Sequence, residues 1–287
     1  MKHIMLLATF LVAGSNPLFA GETSAAFELD LTSVSELEFS DGNASIDLQS
    51  AQASFELGGL SLSVGIHDFD WTGAESLDFA NGSVEPWEQV KTASLRYTFN
   101  RPISPSLFFT SSFGAGLSFE EESSDSLSAD TFAAVIWNRS ADWAFLFGAG
   151  YAWHAEVDLE FEVFPALGFT YRGQAEDGLS ASLGIPETSL RYRFSPRTAL
   201  SAGVGVRSFV NRLADDSAVS AAGYAEFIQF DVGLYFEHRF GDHIELRVGP
   251  SYGVEGELRI HDSEGVLLSE HDLESALGVG LKLRVAF

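Results

Sequence analysis

The sequence predicts an all-β fold, a closed antiparallel up-and-down transmembrane β-barrel of about fourteen strands, with about twelve as the alternative. The first observation is the stretch from Leu273 to Phe287, where apolar residues occupy nearly every second position and charged or small residues lie between them. A period of two places these sets on opposite faces of a strand. The second observation is that 46% of the residues are hydrophobic, although no segment after the amino-terminal twenty residues is a long apolar run. Apolar residues spread by alternation are typical of strands between lipid and a lumen.

The amino-terminal residues match a secretory signal peptide. Lys2 supplies a positive charge, the segment from Ile4 to Ala13 is apolar, and Ala20 is a small residue suited to cleavage. Residues 1–20 are therefore predicted to be removed, and residues 21–287 to form the barrel. The chain has no cysteine, which excludes disulfides and a lipid anchor, and a closed barrel needs neither.

The charge balance is strongly acidic, with 41 acidic and 16 basic residues. This excess of negative charge argues against nucleic acid as a partner.

Turn residues divide the alternating segments into hairpins. The weakest predicted pair lies around Pro186, and without it the strand count would fall to twelve. Pro165, inside another predicted strand, cannot donate to the ladder and predicts a bulge or local break. The segment from Trp71 to Pro86 is the longest predicted loop and the one candidate to fold inward as a constriction.

Aromatic residues near the strand ends are predicted to form interfacial girdles on the apolar face. The predicted girdle residues are Trp87, Phe99, Phe119, Trp143, Trp153, Tyr171, Phe240 and Phe287.

The alternating carboxy-terminal stretch that ends in Phe287 resembles the closing strand of a bacterial outer-membrane β-barrel. In that class, the terminal Phe is the signal that the assembly machinery recognises. Leu-Gly-Phe-Thr-Tyr at 167–171 and the stretch from Leu183 to Arg193 resemble a family of outer-membrane barrels known only as a domain of unknown function. The resemblance implies a location in the bacterial outer membrane, with membrane lipid and the assembly machinery as partners. It leaves a homo-oligomer open and implies no functional residues.

Charged residues on the inward faces are predicted to line the lumen. If the amino terminus lies in the periplasm, the arginines fall towards the periplasmic end and the glutamates towards the outer mouth. One interpretation is a pore with an acidic entrance and a basic inner ring. The alternative is that the charges pair across strands and plug the interior. The two sets are Arg96, Arg172, Arg191, Arg193, Arg239, Arg247 and Arg284, and Glu120, Glu160, Glu255, Glu257 and Glu274.

Four histidines, His67, His154, His261 and His271, map to predicted outer strand ends. Three precede an aspartate, and His with Asp could bind a metal. Adjacent strand residues point to opposite faces, however, so the sequence favours exposed polar residues at the rim and no metal site. The sequence contains no Gly-x-Ser-x-Gly, His-Glu-x-x-His or phosphate-loop motif. Neither enzymatic activity nor a cofactor is predicted.

The function that these patterns favour is a porin-like passive channel for small hydrophilic solutes or ions. One alternative is a plugged barrel with a structural or adhesion role in the outer membrane. A second alternative is an outer-membrane hydrolase with its site at the rim.

Overall fold

The computed structural model describes residues 25–40, 43–158, 163–173, 178–185 and 188–287. The predicted signal peptide and Glu160 lie outside these residues. No helix in the described ranges is long and apolar enough to cross a membrane. Two short 3-10 turns, Ala74–Ser76 and Asp78–Ala80, lie between the third and fourth strands.

The described residues form one sheet of fifteen strands. The strands are β1 (Ala25–Glu38), β2 (Ser45–Leu57), β3 (Leu60–Thr72), β4 (Gln89–Ser104), β5 (Leu107–Phe119), β6 (Leu127–Asn138), β7 (Trp143–His154), β8 (Val163–Arg172), β9 (Gly178–Ile185), β10 (Thr188–Ser195), β11 (Thr198–Arg212), β12 (Tyr224–Phe240), β13 (Ile244–His261), β14 (Leu267–Leu273) and β15 (Ala276–Ala286).

The sheet closes on itself as a ring of fourteen strands, which confirms the predicted barrel. Each strand from β1 to β12 pairs with the next, β12 pairs with β13, and the ring closes through β15 back to β1. The extra strand β14 pairs with the outer part of β13 and leads directly into β15. The weak hairpin of the sequence exists as β9 and β10, so the count is fourteen and not twelve.

Exposed apolar side chains form a belt around the barrel over most of its height. Phe55, Leu62, Leu95, Phe113 and Leu277 point outward and are between 45% and 68% exposed. Their neighbours along each strand point inward and are mostly polar or small. This arrangement is that of a transmembrane barrel with its apolar face towards lipid. Of the predicted girdle residues, those exposed at the rims of the belt are Phe99, Trp143, Trp153, Phe240 and Phe287.

The outer ends of many strands have the opposite polarity, with apolar side chains inside and polar side chains outside. In β3, Phe69 and Trp71 are buried while Asp68 and Asp70 are exposed. We call the buried interior cluster at this end the outer cap. Its members are Val34, Leu37, Phe39, Ala44, Ile46, Leu48, Phe69, Trp71, Ala74, Leu77, Phe79, Ala80, Trp87, Val90, Leu213, Val219, Ala225, Phe227, Leu258, Ile260, Leu273 and Ala276.

Three neighbouring strands enter the outer cap through irregularities of the ladder. In β1 the register shifts between Val34 and Leu37, and Glu36 adopts a φ of 54°. In β13, two residues lie opposite one residue of β12. The third break is the pair of residues between β14 and β15. A bulge of one residue exchanges the two faces of a strand, so the segments beyond it turn their apolar residues inward.

These breaks correct part of the sequence prediction. Trp87 and Leu273 were expected on the lipid face, but both are 2% exposed within the outer cap, where Leu258 and Ile260 are 1% exposed. The predicted alternation is correct, but at the outer end the apolar side of these strands faces the barrel interior and not lipid.

On the side of β7, the predicted bulge or local break at Pro165 is wrong. β7 and β8 pair without a register shift, and Pro165 lies opposite Ala149. The described pairing of β8 with β9 reaches to Leu167, and the position that would lie opposite Pro165 on that side is outside the described residues.

Candidate channel lumen

The segment between β3 and β4 folds into the mouth of the barrel, as predicted for a constriction. Phe79 on this segment is 6% exposed and packs against Trp87 and His271, with ring centroids 6.4 and 4.8 Å apart. Asn81 Nδ2 donates a hydrogen bond of 2.8 Å to the carbonyl of Ala218 in the loop between β11 and β12. The segment therefore completes the outer cap and ties it to the opposite wall.

A second contact crosses the mouth between the ends of β5 and β11. Phe119 pairs with Arg212, and the Glu120 amide donates to the Arg212 carbonyl at 2.9 Å. Glu120 Oε2 accepts a hydrogen bond of 2.9 Å from the Ala214 amide, and burial raises the pKa of Glu120. Five strands, β6 to β10, separate β5 from β11 along the wall. We call this contact, formed by Phe119, Glu120, Arg212 and Ala214, the strut. It divides the mouth into the outer cap on one side and the wall of β6 to β10 on the other.

Rows of small residues lie on the interior face between β3 and β9. The register aligns Ser63, Ser94, Gly116 and Ser128 across four consecutive strands. Gly168 of β8 lies opposite Gly184 of β9. The same wall also carries a second buried apolar cluster, in which Leu146 packs against Phe132, Ala134, Phe164 and Ala166.

The predicted basic residues lie on interior positions and most have acidic partners. Arg96 binds Asp130 with two hydrogen bonds of 2.7 and 2.8 Å. Arg191 lies 2.5 Å from Glu237, and other pairs place Arg239 at 3.2 Å from Glu245 and Arg284 at 2.8 Å from Glu56. Both signs of charge are thus interspersed on the lumen wall.

Three predicted arginines have other surroundings. The guanidinium carbon of Arg247 lies 3.8 Å from the centroid of the Tyr235 ring, which is a cation–π geometry. Arg172 lies opposite Ser180, and Arg193 lies opposite Ala199.

The predicted acidic residues are not collected into one ring among the described residues. Glu120 belongs to the strut. Glu255 is exposed where β13 is irregular, and Glu274 is exposed between β14 and β15. Glu257 follows that irregularity, so it lies on the face opposite Leu258 and is 2.9 Å from Arg259. Glu160 lies outside the described residues.

The acidic partners and two lumenal cations were not among the predicted lumen residues. Asp130 lies on β6, which begins at Leu127. Arg207 lies on β11, 3.2 Å from Asp231. Lys282 lies 2.9 Å from Glu28. Their positions on the inward faces follow from strand alternation and could have been predicted. Which charges pair depends on the register between strands.

The histidines are not exposed rim residues. His154, His261 and His271 are 4%, 5% and 8% exposed, and His67 is partly buried in the interior. His154 Nδ1 accepts a hydrogen bond of 3.2 Å from the Val157 amide. The loops and the outer cap cover these side chains, which strand alternation alone does not show. Within the described ranges, no three His, Asp or Glu side chains are grouped to hold a metal ion.

Known structures with similar shapes are outer-membrane channels, but no family model and no curated protein matches this sequence. The KdgM porin is 8% identical, with 91% of this chain and 99% of that chain covered and a TM-score of 0.38. An outer membrane channel from Pseudomonas putida F1 is 10% identical, with coverage of 96% and 100% and a TM-score of 0.46. The P. putida toluene transporter TodX is 10% identical, with coverage of 94% and 91% and a TM-score of 0.40. The resemblance to an uncharacterised family stays a prediction.

Proposed function

We propose that this protein is a porin-like passive channel of the bacterial outer membrane for small hydrophilic solutes or ions. The supporting observation is the closed ring of fourteen strands with glycine and serine on its interior face from β3 to β9. Side chains fill the interior of barrels of about eight strands, whereas barrels of about sixteen leave an aqueous channel. A ring of fourteen strands lies nearer the second case, and this ring supports a polar passage beside the outer cap.

The passage runs along the β6 to β10 side of the mouth, because the outer cap and the strut occupy the other side. Towards the periplasmic end, pairs such as Arg191–Glu237 and Arg284–Glu56 narrow it. Because the charges of both signs remain paired, the passage has only a weak preference for cations or anions.

The exposed belt supports contact with outer-membrane lipid. Phe287 is 72% exposed at the end of the chain, where an assembly machinery that reads terminal aromatic residues could bind it. The orientation with the amino terminus in the periplasm is part of the same proposal.

A plugged structural barrel is the second candidate, and the outer cap is the observation that favours it. Strands β1 to β4 and β11 to β14 enclose a dry interior at the outer end. If the wall of β6 to β10 closed against the strut, no continuous passage would remain.

Conductance in planar bilayers separates the two candidates. We expect the refolded full-length protein to produce discrete current steps in KCl, because the passage is aqueous. The double substitution of Arg193→Glu and Arg247→Glu should shift the reversal potential towards cation selectivity. Lys91→Glu, on the exposed outer face, makes the same kind of charge change outside the lumen and should leave selectivity unchanged. Absence of current steps would support the plugged barrel, and unchanged selectivity in the double variant would reject a lumenal role for these arginines.

A further inference from the structure

A third contact crosses the mouth, between the end of β7 and the start of β12. His154 follows the girdle residue Trp153 at the end of β7, so its ring lies at the mouth, above the apolar belt. The ring centroid of His154 lies 5.3 Å from that of Tyr224, edge to face. Tyr224 is 1% exposed, and its hydroxyl donates a hydrogen bond of 3.1 Å to the Asp125 carbonyl. Four strands, β8 to β11, separate β7 from β12 along the wall, so this contact joins two distant parts of the mouth.

The hydrogen bonds of His154 define where its ring carries a proton. Nδ1 accepts hydrogen bonds from the amides of Glu156 at 3.3 Å and Val157 at 3.2 Å. An amide N–H only donates, so Nδ1 carries no proton and the neutral ring has its proton on Nε2. Val157 is 2% exposed, so the turn that these hydrogen bonds hold is buried. We call the contact of His154, Val157 and Tyr224 the latch.

The loop after β13 packs on the same turn. A Cβ on Gly265 would overlap the Glu156 carbonyl, so the close approach requires glycine. His261 ends β13, and its Nδ1 lies 3.2 Å from the Gly265 carbonyl oxygen while its Nε2 lies 3.4 Å from Glu226 Oε2. Both partners are oxygen atoms, so His261 can donate from both ring nitrogens, which His154 cannot.

The surroundings of His154 oppose a second proton on its ring. Among the described residues, the charge that acts on this ring is that of His261, a base like His154. Burial, and then His261, lower the pKa of His154 from 6.5 to about 4. The released turn therefore binds the proton more strongly than the latched turn does. The latch has its full stability above about pH 6.5 and loses it as the pH falls towards about 4. The other ionisable groups around the latch are Tyr224, Glu226, Arg259, Glu156, Asp125 and Arg212.

We propose that the latch is an acid-sensitive device that holds the mouth closed on the β7 side at neutral pH. A proton on His154 Nδ1 would point at the two amide N–H groups that now donate to this atom, so the turn leaves its place. Release of Val157 separates the end of β7 from β12 and from the loop that carries Gly265, and the mouth widens. The effect on transport rests on the proposed channel function, whereas the release itself does not.

Thiol accessibility tests the release, because the chain has no cysteine of its own. Val157→Cys keeps a small side chain at this buried position, and 4,4′-dithiodipyridine labels thiols in acid. Glu264→Cys, exposed on the loop after β13, corrects for the change of intrinsic thiol reactivity with pH. In the full-length protein in lipid vesicles, the labelling rate of Val157→Cys relative to Glu264→Cys should rise at least about tenfold from about pH 7.5 to about pH 4.5. An unchanged ratio would overturn the proposal.

His154→Asn tests whether the proton on this ring is the cause. The side-chain oxygen of Asn lies near the position of Nδ1, so it accepts the same amide hydrogen bonds but takes up no proton. In this background, labelling of Val157→Cys should stay as slow in acid as at neutral pH. His243→Asn, in an exposed turn at the opposite end of the barrel, is the matched control and should keep the acid-dependent increase. Acid-dependent labelling that persists in His154→Asn, or fast labelling at both pH values, contradicts the latch.

Current recordings in KCl separate the latch from the channel. The wild type should carry a larger current at acidic than at neutral pH, and His154→Asn should carry equal currents at both. Equal currents in the wild type would overturn the widening of the mouth. A protein that releases Val157 in acid without conducting retains the latch and loses the channel. A protein that conducts without acid-dependent labelling retains the channel and loses the latch.

Discussion

The lipid-facing belt and the outer cap are made from the same strands, yet their side chains alternate in opposite senses. In the belt, Phe55 and Leu62 point outward and polar residues point inward. In the outer cap, Ile46 and Phe69 point inward and carboxylates such as Asp47 point outward. The same period of two therefore describes a strand in lipid and a strand around a dry core.

The strands change between the two arrangements in two ways. β2 and β3 pair without a register shift, and the change lies in the order of their residues. β1 and β13 instead keep much of their apolar alternation and exchange faces at a break in the ladder. Only the first way can be seen in a single sequence, because a bulge is defined by the partner strand.

Deletion of Glu36 should have the largest effect on this comparison. Removing the extra residue of β1 turns the side chains of Leu37 and Phe39 from the interior to the lipid face. We expect a loss of about 5 kcal/mol or more in the free energy of unfolding, since two large side chains leave the outer cap. Guanidinium unfolding of the protein in lipid vesicles measures this loss.

The absence of cysteine allows a direct control for that deletion. In the background with Glu36 present, Glu38→Cys should react with a membrane-impermeant maleimide and Phe39→Cys should not. In the deletion background the two reactivities should exchange. If both positions keep their reactivity, the bulge does not set the face of this strand end.

Phe39→Ala should have the next largest effect. Phe39 is 2% exposed and stacks on Trp71 at 6.0 Å, so its removal leaves a cavity that costs about 3–5 kcal/mol. Phe55→Ala on the lipid face should cost less, about 1.5–3 kcal/mol, because lipid fills the space. Unfolding of both variants under one condition tests the difference, and equal losses would contradict a dry outer cap.

Glu36→Gly should have the smallest effect, and a stabilising one. Glu36 has a φ of 54°, in the left-handed region, while its amide donates a hydrogen bond of 2.7 Å to Asp47. Glycine keeps this hydrogen bond and removes the strain of the side chain, for a gain of about 1 kcal/mol. Glu38→Gly, in an extended part of the same strand, should instead destabilise the protein.

Much of the fold could be predicted from the sequence, because strand alternation and turn residues are local properties. All fourteen predicted strands exist in the ring, including the short hairpin of β9 and β10. The inward folding of the segment that carries Phe79 was also predicted, from its length alone. Neither Asp130 nor Arg207 was among the predicted lumen residues, although both lie on strands of the ring.

The lumen was predicted less well, because its chemistry depends on pairs that are distant in sequence. The partner of Arg284 is Glu56, at the other end of the chain, and nothing in the local sequence indicates this pairing. His271 was expected at an exposed rim, but the loop after β3 covers it.

The sequence by itself determined that the strands alternate, where most of them turn, and that the barrel has an apolar exterior over most of its height. Only the tertiary structure decided whether each apolar face at the outer end contacts lipid or the protein interior, and which charged side chains pair inside the barrel. The physical reason is that alternation follows from the geometry of one strand. Bulges, ring closure and cross-strand ion pairs follow instead from the register between strands, which no single strand contains.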